Sequence, residues 1–343
     1  MEGISASLTT LRKIPILGKS RIGLASLFLL ALFPFVGMGR IGAQTTPHKV
    51  TISYSSTGMP SIQLFIAREK GFFREEGIEP LLVRTSANTA IAAGIAGELD
   101  ALGSIGSAVR AIQRGAPLRV LAVDLRRPIF WLVARPEYRS VKDLKGKVLG
   151  IATINGSQHT AARKMLSLRA IDADKELTFV QVGDESAQLQ ALVSNSIQVS
   201  ALTPPYIFLA RDKFKMNVLE SSIDKFASIQ QGIGVHVRNL QERADLAKRI
   251  LRAKAKANRF FHENEKETAE MLVRIWKTDL TTAMEWYRRC KPAFTPTGIP
   301  TDEEINEYLA EEAQVLKLPD PVPSTKVFDF TLQRIVNREL GAK

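Results

Sequence analysis

The sequence reads as an α/β protein built from two similar units in tandem, followed by a helical C-terminal region. Three observations predict this. After Pro47, short β-rich runs alternate with longer helical stretches, and such alternation implies parallel strands joined by helices. The same grammar starts again at Phe130. A weak internal repeat links the halves: GELDA at 97–101 and IQVSA at 197–201 each follow a helix containing alanine and leucine, and each precedes a polar loop. Two such units in tandem imply two lobes with a cleft between them, and 343 residues suffice for two cores of ordinary size.

Residues 49–54 (KVTISY) alternate as a strand and end in the loop Ser55-Ser56-Thr57-Gly58. Pro60 suits the first turn of a helix. Ile62, Phe65, Ile66 and Phe73 recur at helical spacing, and Gly71 stops the helix. Residues 77–83 form a second strand, 89–98 an alanine-rich helix, 100–102 a short buried strand, 107–114 a helix and 118–124 another strand. In the second unit, 130–134 (FWLVA) and 148–152 (VLGIA) are strands, and Asn155-Gly156-Ser157 opens a helix over 159–169. A strand at 177–182, a helix at 186–194 and a short strand at 199–202 lead to Thr203-Pro204-Pro205-Tyr206. From 243 onward the chain is nearly all helical, over 243–263, 266–276, 281–290 and 301–315. Thr301 and Glu304 make a capping box for the last of these.

Composition narrows the function. Hydrophobic residues make up 45% and charged residues 24%, which is average globular usage and excludes disorder, collagen and a polytopic membrane protein. A single cysteine, Cys290, excludes an internal disulfide framework, an all-cysteine zinc site and cysteine-held iron–sulfur clusters. The histidines (His48, His159, His236 and His262) are scattered, so no metal site and no cofactor is expected.

Residues 1–43 read as an export leader. Arg12, Lys13, Lys19 and Arg21 precede an uncharged run over 22–38, and Ile41-Gly42-Ala43 offers small residues for cleavage near Ala43. The alternative is an uncleaved anchor, because seventeen apolar residues sit at the lower limit for spanning a bilayer. Pro34 favours cleavage, and either way the folded part is expected outside the cytoplasm. The leader carries four of the twelve net positive charges, leaving +8 for the rest. Gly37, Gly39 and Gly42 satisfy G-x-G-x-x-G, but a turn-like AQTTPHK follows in place of a helix, so no dinucleotide site is read there. The basic run of Lys248, Arg249, Arg252, Lys254, Lys256 and Arg259 reads as a solvated helix face, and no nucleic acid is expected as a partner.

Catalytic signals are sparse. No G-x-S-x-G elbow occurs, His159 reads as a first-turn polar residue, and Asp184-Glu185 reads as a cap for the helix that follows. What recurs is a polar loop between a strand and a helix, at 55–58, 85–89, 103–107, 153–158 and 203–205. In open α/β sheets, ligands bind at the carboxyl ends of strands, where free amides at helix starts attract anionic groups. Five such loops point to a small anionic or polar solute. Trp131 and Tyr206 offer apolar walls, with core packing the commoner role for Trp131.

IAREKGFFREEGI at 66–78 resembles a known family, and the resemblance continues through Ala93-Gly94, GELDA at 97–101, GAPL at 115–118, VKDLKGK at 141–147, Ala191-Leu192 and Pro204-Pro205-Tyr206. The chain is similar to the periplasmic solute-binding components of ABC importers of the nitrate, taurine and aliphatic-sulfonate type. The resemblance covers roughly residues 48–260. It implies a type II periplasmic-binding-protein fold, two α/β lobes joined by two crossing strands near 124–128 and 230–234. Lobe 1 would be 48–127 with 232–343, and lobe 2 would be 128–231. The family's ligand loops map onto Ser56, Thr57, Gly58, Asn88, Thr89, Ser104, Ser107, Gly156, Ser157, Gln158 and Pro205. No arginine falls inside these loops. The implied partners are a small-molecule solute and the ABC permease and ATPase at the inner membrane, the implied state is a monomer, and no enzyme activity is expected. Two alternatives remain. The fold also carries biosynthetic enzymes of the pyrimidine-precursor and menaquinone type; the former carry a cysteine-rich signature that Cys290 alone does not supply, and both are expected in the cytoplasm. The other is a ligand sensor tethered by an uncleaved leader.

Overall fold

The computed structural model describes residues 47–342 apart from position 224. The leader at 1–43, with its cleavage point near Ala43, lies outside the described residues. β1 (His48–Tyr54) buries Val50 and Ile52 and leaves Thr51 half-buried between them, the alternation of a strand with a covered and an open face. α1 (Ile62–Glu69) ends before Gly71, whose φ of +78° is one that glycine adopts without strain. α2 (Phe72–Glu75) then sends the chain into β2 (Ile78–Arg84), parallel to β1. α3 (Ala87–Ala96), β3 (Ala101–Leu102), α4 (Ile105–Gln113) and β4 (Leu118–Leu125) follow.

The second sheet is built from β5 (Trp131–Ala134), β6 (Val148–Ile151), β7 (Thr178–Gln181), β8 (Val199–Leu202) and β9 (Asn217–Ser221). α5 (Ser157–Ser167) and α6 (Ala173–Glu176) join β6 to β7, α7 (Glu185–Val193) joins β7 to β8, and α8 (Tyr206–Phe208) leads toward β9. β10 (Gln231–His236) then returns to the first sheet. The strand orders are β2-β1-β3-β10-β4 and β7-β6-β8-β5-β9, which place each strand in the corresponding position of the two sheets. This is the mixed α/β architecture with two sheets that the sequence predicts.

Two features differ from the expectation of parallel pairing. β10 runs antiparallel to β3 and β4, and β5 runs antiparallel to β8 and β9. Both strands enter their sheet from the other one, so they arrive in the opposite direction. The two connecting segments are tied together: the Ser222 hydroxyl accepts from Phe130 N at 2.9 Å, Ser222 N donates to Phe130 O at 2.9 Å, and Ser228 N donates to Arg126 O at 3.1 Å. β10 falls where the resemblance places a crossing strand, near 230–234, although Gly232 and Gly234 hide it from pattern reading alone. The register shifts at both, and a Cβ on Gly232 would stand 2.0 Å from Ala122 O. Glycine in a strand marks such irregular close approaches.

α9 (Val237–Glu242), α10 (Ala244–Glu263), α11 (Glu265–Trp276), α12 (Leu280–Cys290), α13 (Asp302–Leu316), α14 (Ser324–Val327) and α15 (Thr331–Glu339) complete the described chain. The expected capping box at Thr301 and Glu304 forms, with Glu304 N donating to Thr301 Oγ1 at 3.2 Å and Thr301 N to Glu304 Oε2 at 3.1 Å. The basic stripe on α10 is not a free solvated face. Lys256 bonds Glu75 at 2.9 Å and Glu76 at 2.6 Å, Arg252 bonds Glu76 at 2.9 Å and Glu339 at 2.5 Å, and Lys248 bonds Glu339 at 2.5 Å. Lys254 is buried and paired at 2.7 Å with buried Asp124. The stripe therefore clamps α10 to α2, α15 and β4. Trp286 of α12 meets Trp131 edge-on at 5.0 Å and packs beside Phe208; burying one such ring contributes about 3 kcal/mol. Trp131 is thus a core residue. Among the described residues, no helix is long and apolar enough to cross a membrane.

Candidate functional site

The carboxyl ends of strands from both sheets converge on one cavity of about 460 Å³. From the first sheet come Ser55, Ser56 and Thr57 after β1, Arg84 to Ala87 after β2, and Ser104 and Ser107 at the start of α4. From the second come Ala152, Thr153 and Gly156 to Gln158 after β6, Gly183 to Glu185 after β7, and Tyr206 after β8. Phe130, Gln230 and Gln231 line it from the connecting segments. The strand C-termini face the site because each is followed by a helix that packs back on the sheet, which leaves the turn exposed at that end.

Four helices of nine to eleven residues begin at this cavity, α3, α4, α5 and α7. Their caps differ. Ser86 accepts from Thr89 N, and Asp184 accepts from Ser186 N and Ala187 N. Ser104 and Gly156 make no side-chain cap, so the first turns of α4 and α5 present amides without a side-chain acceptor. Such ends carry partial positive charge and suit an anion.

Seven of the eleven sequence-predicted site residues line the cavity: Ser56, Thr57, Ser104, Ser107, Gly156, Ser157 and Gln158. Gln158 is buried and spent on structure. It accepts from Ala152 N at 2.6 Å and donates to Gln188 Oε1 at 2.7 Å and Ala201 O at 2.5 Å, which fixes the loop after β6. Ser104 donates to Ser55 at 2.9 Å. Asn88 and Thr89 fall outside the lining. α3 starts at Ala87, two residues earlier than predicted, because Ser86 caps it; this carries Asn88 and Thr89 onto the exposed first turn, where Thr89 Oγ1 lies 2.8 Å from Ser86 Oγ. Gly58 and Pro205 also fall outside it and are buried. Gly58 lets the loop after β1 touch the loop after β8: a Cβ there would stand 2.3 Å from Pro204 O, and Met59 N donates to that oxygen at 3.0 Å. Thr57 Oγ1 lies 3.3 Å from Tyr206 OH across the same contact. Tyr206 is thereby a cavity wall, as its position in sequence suggested.

The charged lining was not read from the sequence. Arg84, the last residue of β2, donates to Asp184 Oδ2 of the other sheet. The sequence places Arg84 beside the loop at 85–89, so extending each loop by its preceding strand residue finds it. Asp184 is the cap that the sequence predicts and a cavity residue besides. Burial pushes its carboxyl up, but hydrogen bonds from Ser186 and Ala187 and the charge of Arg84 outweigh this and hold it below its ordinary range. Glu185 behaves oppositely: burial pushes its carboxyl up to about 8, against the stabilising hydroxyl of Thr203 at 2.8 and 3.0 Å. At neutral pH it is mostly protonated. His159 lies behind the cavity loop, accepting from Asn155 N at 3.0 Å and meeting Phe179 edge-on at 4.4 Å. Burial and nearby Arg163 push its imidazole down to about 4. Among the described residues, no group of three or more His, Cys, Asp or Glu side chains is placed to hold a metal ion.

A cleft formed by the strand C-termini of two α/β sheets, joined by two hydrogen-bonded connecting segments, defines the periplasmic-binding-protein fold. The chain belongs to the NMT1/THI5-like family, whose profile matches residues 60–268. Among solved structures it is similar to the alkanesulfonate-binding protein SsuA of Xanthomonas axonopodis pv. citri bound to MOPS, with TM-score 0.68 and 15% identity over 83% of this chain and 99% of that one. It is also similar to the aliphatic sulphonate-binding SsuA of Escherichia coli, with TM-score 0.62 and 16% identity over 82% and 92% of the two chains. The periplasmic nitrate-binding protein NrtA of Synechocystis PCC 6803 matches with TM-score 0.64 and 15% identity over 86% and 89%. Among curated proteins the sequence has no significant match. The family resemblance read in the sequence agrees with these matches. At such identities the likeness establishes the fold.

Proposed function

We propose that this chain is the exported solute-binding component of an ABC importer, capturing a small anionic solute in the cleft and delivering it to a membrane permease and its ATPase without altering it. The observation that carries this reading is the convergence, from two sheets, of hydroxyls and of helix N-termini without a side-chain cap on a single cavity. The sulfonate- and nitrate-binding proteins among the similar structures support it. In this reading lobe 1 is 48–127 with 232–343, lobe 2 is 128–231, and the leader at 1–43 directs a monomer to the periplasm. Each lobe supplies half of the polar groups, so ligand bridging favours the closed form. Micromolar affinity corresponds to about −8 kcal/mol, within reach of several charge-assisted hydrogen bonds less the cost of closure.

A thermal-shift screen of alkanesulfonates, nitrate and aromatic carboxylates tests the reading, since a bound solute raises the melting point by mass action. At least one class should raise it saturably, and the solute should be recovered unchanged. Ser104→Ala and Ser157→Ala should each weaken binding about fivefold with the melting point of the free protein retained. Recovery of a chemically altered solute would favour the same-fold enzyme instead.

A further inference from the structure

Arg84 and Asp184 stand at corresponding ends of the two sheets. Arg84 closes β2, the edge strand of the first sheet, and Asp184 follows β7, the edge strand of the second. Both line the cavity and they are bonded to each other across it. Arg84 is the one cationic residue among the described residues lining that cavity. The sole hydrogen bond of its side chain among the described residues is to Asp184. The two oxygens of Asp184 divide their work. Oδ1 takes Ser186 N at 2.9 Å, the Ser186 hydroxyl at 2.5 Å and Ala187 N at 3.0 Å, which is the cap of α7. Oδ2 meets Arg84 alone.

Building on the binding role proposed above, we propose that Asp184 Oδ2 is an internal stand-in for the solute's acidic group: it occupies Arg84 in the empty cleft, and a carboxylate or sulfonate binds by taking its place. Three features make the exchange workable. Both side chains are more than a third exposed, at 38% and 36%, so the pair opens at the modest cost of a partly solvated ion pair. Releasing Arg84 does not uncap α7, because the cap uses the other oxygen. A free oxyanion that meets the guanidinium with two oxygens makes a stronger, bidentate pair than the single oxygen it displaces. An uncharged solute gains nothing from displacing Asp184. The pair thus selects for acidic ligands while keeping an unpaired arginine out of the empty cleft.

Asp184→Asn separates these roles, because asparagine caps helices as well as aspartate does and removes only the competing charge. Titration calorimetry with benzenesulfonate, and with benzenesulfonamide as the uncharged control, reads the effect. Asp184→Asn should bind benzenesulfonate about fivefold more tightly than wild type, the gain from removing a partly exposed competing pair. Arg84→Gln should abolish that binding in either background, and benzenesulfonamide should not distinguish the proteins. Equal or weaker binding by Asp184→Asn, or no binding by either protein, overturns the stand-in role. If a solute of the thermal-shift screen still binds in that case, the binding-protein reading survives it; if none does, both fall.

Discussion

Glu312→Ala is the substitution whose consequence follows most directly from the geometry. Arg110 on α4 and Glu312 on α13 are an ion pair with side-chain exposures of 8% and 3%. The guanidinium reaches Glu312 with two nitrogens, the second at 2.7 Å, and also donates to Asn155 O and, at 2.6 Å, to Thr160 Oγ1. One side chain therefore joins α4, α13 and the turn that opens α5 beside Gly156 and Ser157. Burial lowers the arginine's pKa, but the hydrogen bond and charge of Glu312 more than compensate. Removing Glu312 leaves a buried cation without its counter-charge, which costs about 3–5 kcal/mol. For a folded part of about 300 residues that is a fall of roughly 5–8 °C in melting temperature. Urea unfolding of wild type, Glu312→Ala, Glu312→Leu, Arg110→Met and the double variant Arg110→Met/Glu312→Leu gives the coupling. The double variant should recover most of the loss, because an apolar replacement leaves no orphaned charge. A Glu312→Ala cost below about 1 kcal/mol, or a double variant as unstable as the sum of the singles, would refute the pairing.

Gly58→Ala places a Cβ where only 2.3 Å separates it from Pro204 O, so the loops after β1 and β8 must part by about 1 Å and lose the Met59 N bond; solute affinity by calorimetry should fall about tenfold or more with the fold retained. Glu185 has its folded pKa raised to about 8, so its contribution to stability is present below the unfolded carboxyl range and fades as pH climbs toward 8. The melting-temperature difference between Glu185→Gln and wild type should therefore grow in favour of the variant from pH 5 to 8, and a flat difference would contradict the burial argument. His159 has its folded pKa lowered to about 4, so its contribution is complete above about pH 6.5 and is lost as pH falls toward 4; His159→Gln should remove that part of the acid destabilisation in the same scan.

Much of this architecture was legible from periodicity. The strand at 199–202 and the capping box at Thr301 and Glu304 stand where pattern and cap chemistry put them. The loops that line the cavity were legible as strand ends because hydroxyls and glycines between a strand and a helix mark such turns. The shortfall is tertiary. The resemblance assigns Asn88 and Thr89 to the site, but Ser86 starts α3 two residues earlier than the pattern at 89–98 suggests and puts both on its exposed first turn. Arg84 lay one residue beyond a polar loop, and its partner is a hundred residues away in the other sheet. The basic stripe on α10 looked solvated because its acids, Glu75, Glu76 and Glu339, are distant in sequence. β10 is placed by the resemblance and not by periodicity, because Gly232 and Gly234, whose missing side chains let it approach β4, interrupt its pattern.

A crystal structure of the protein with the solute giving the largest thermal shift bears most directly on the claim that the two sheets grip a ligand between their strand ends. The account predicts unaltered solute in the cavity, its acidic group on Arg84 and its other polar atoms within hydrogen-bond reach of Ser56, Ser104 and Ser157. Solute bound elsewhere, such as the groove between α5 and α13, or a transformed product in the cavity, would contradict it.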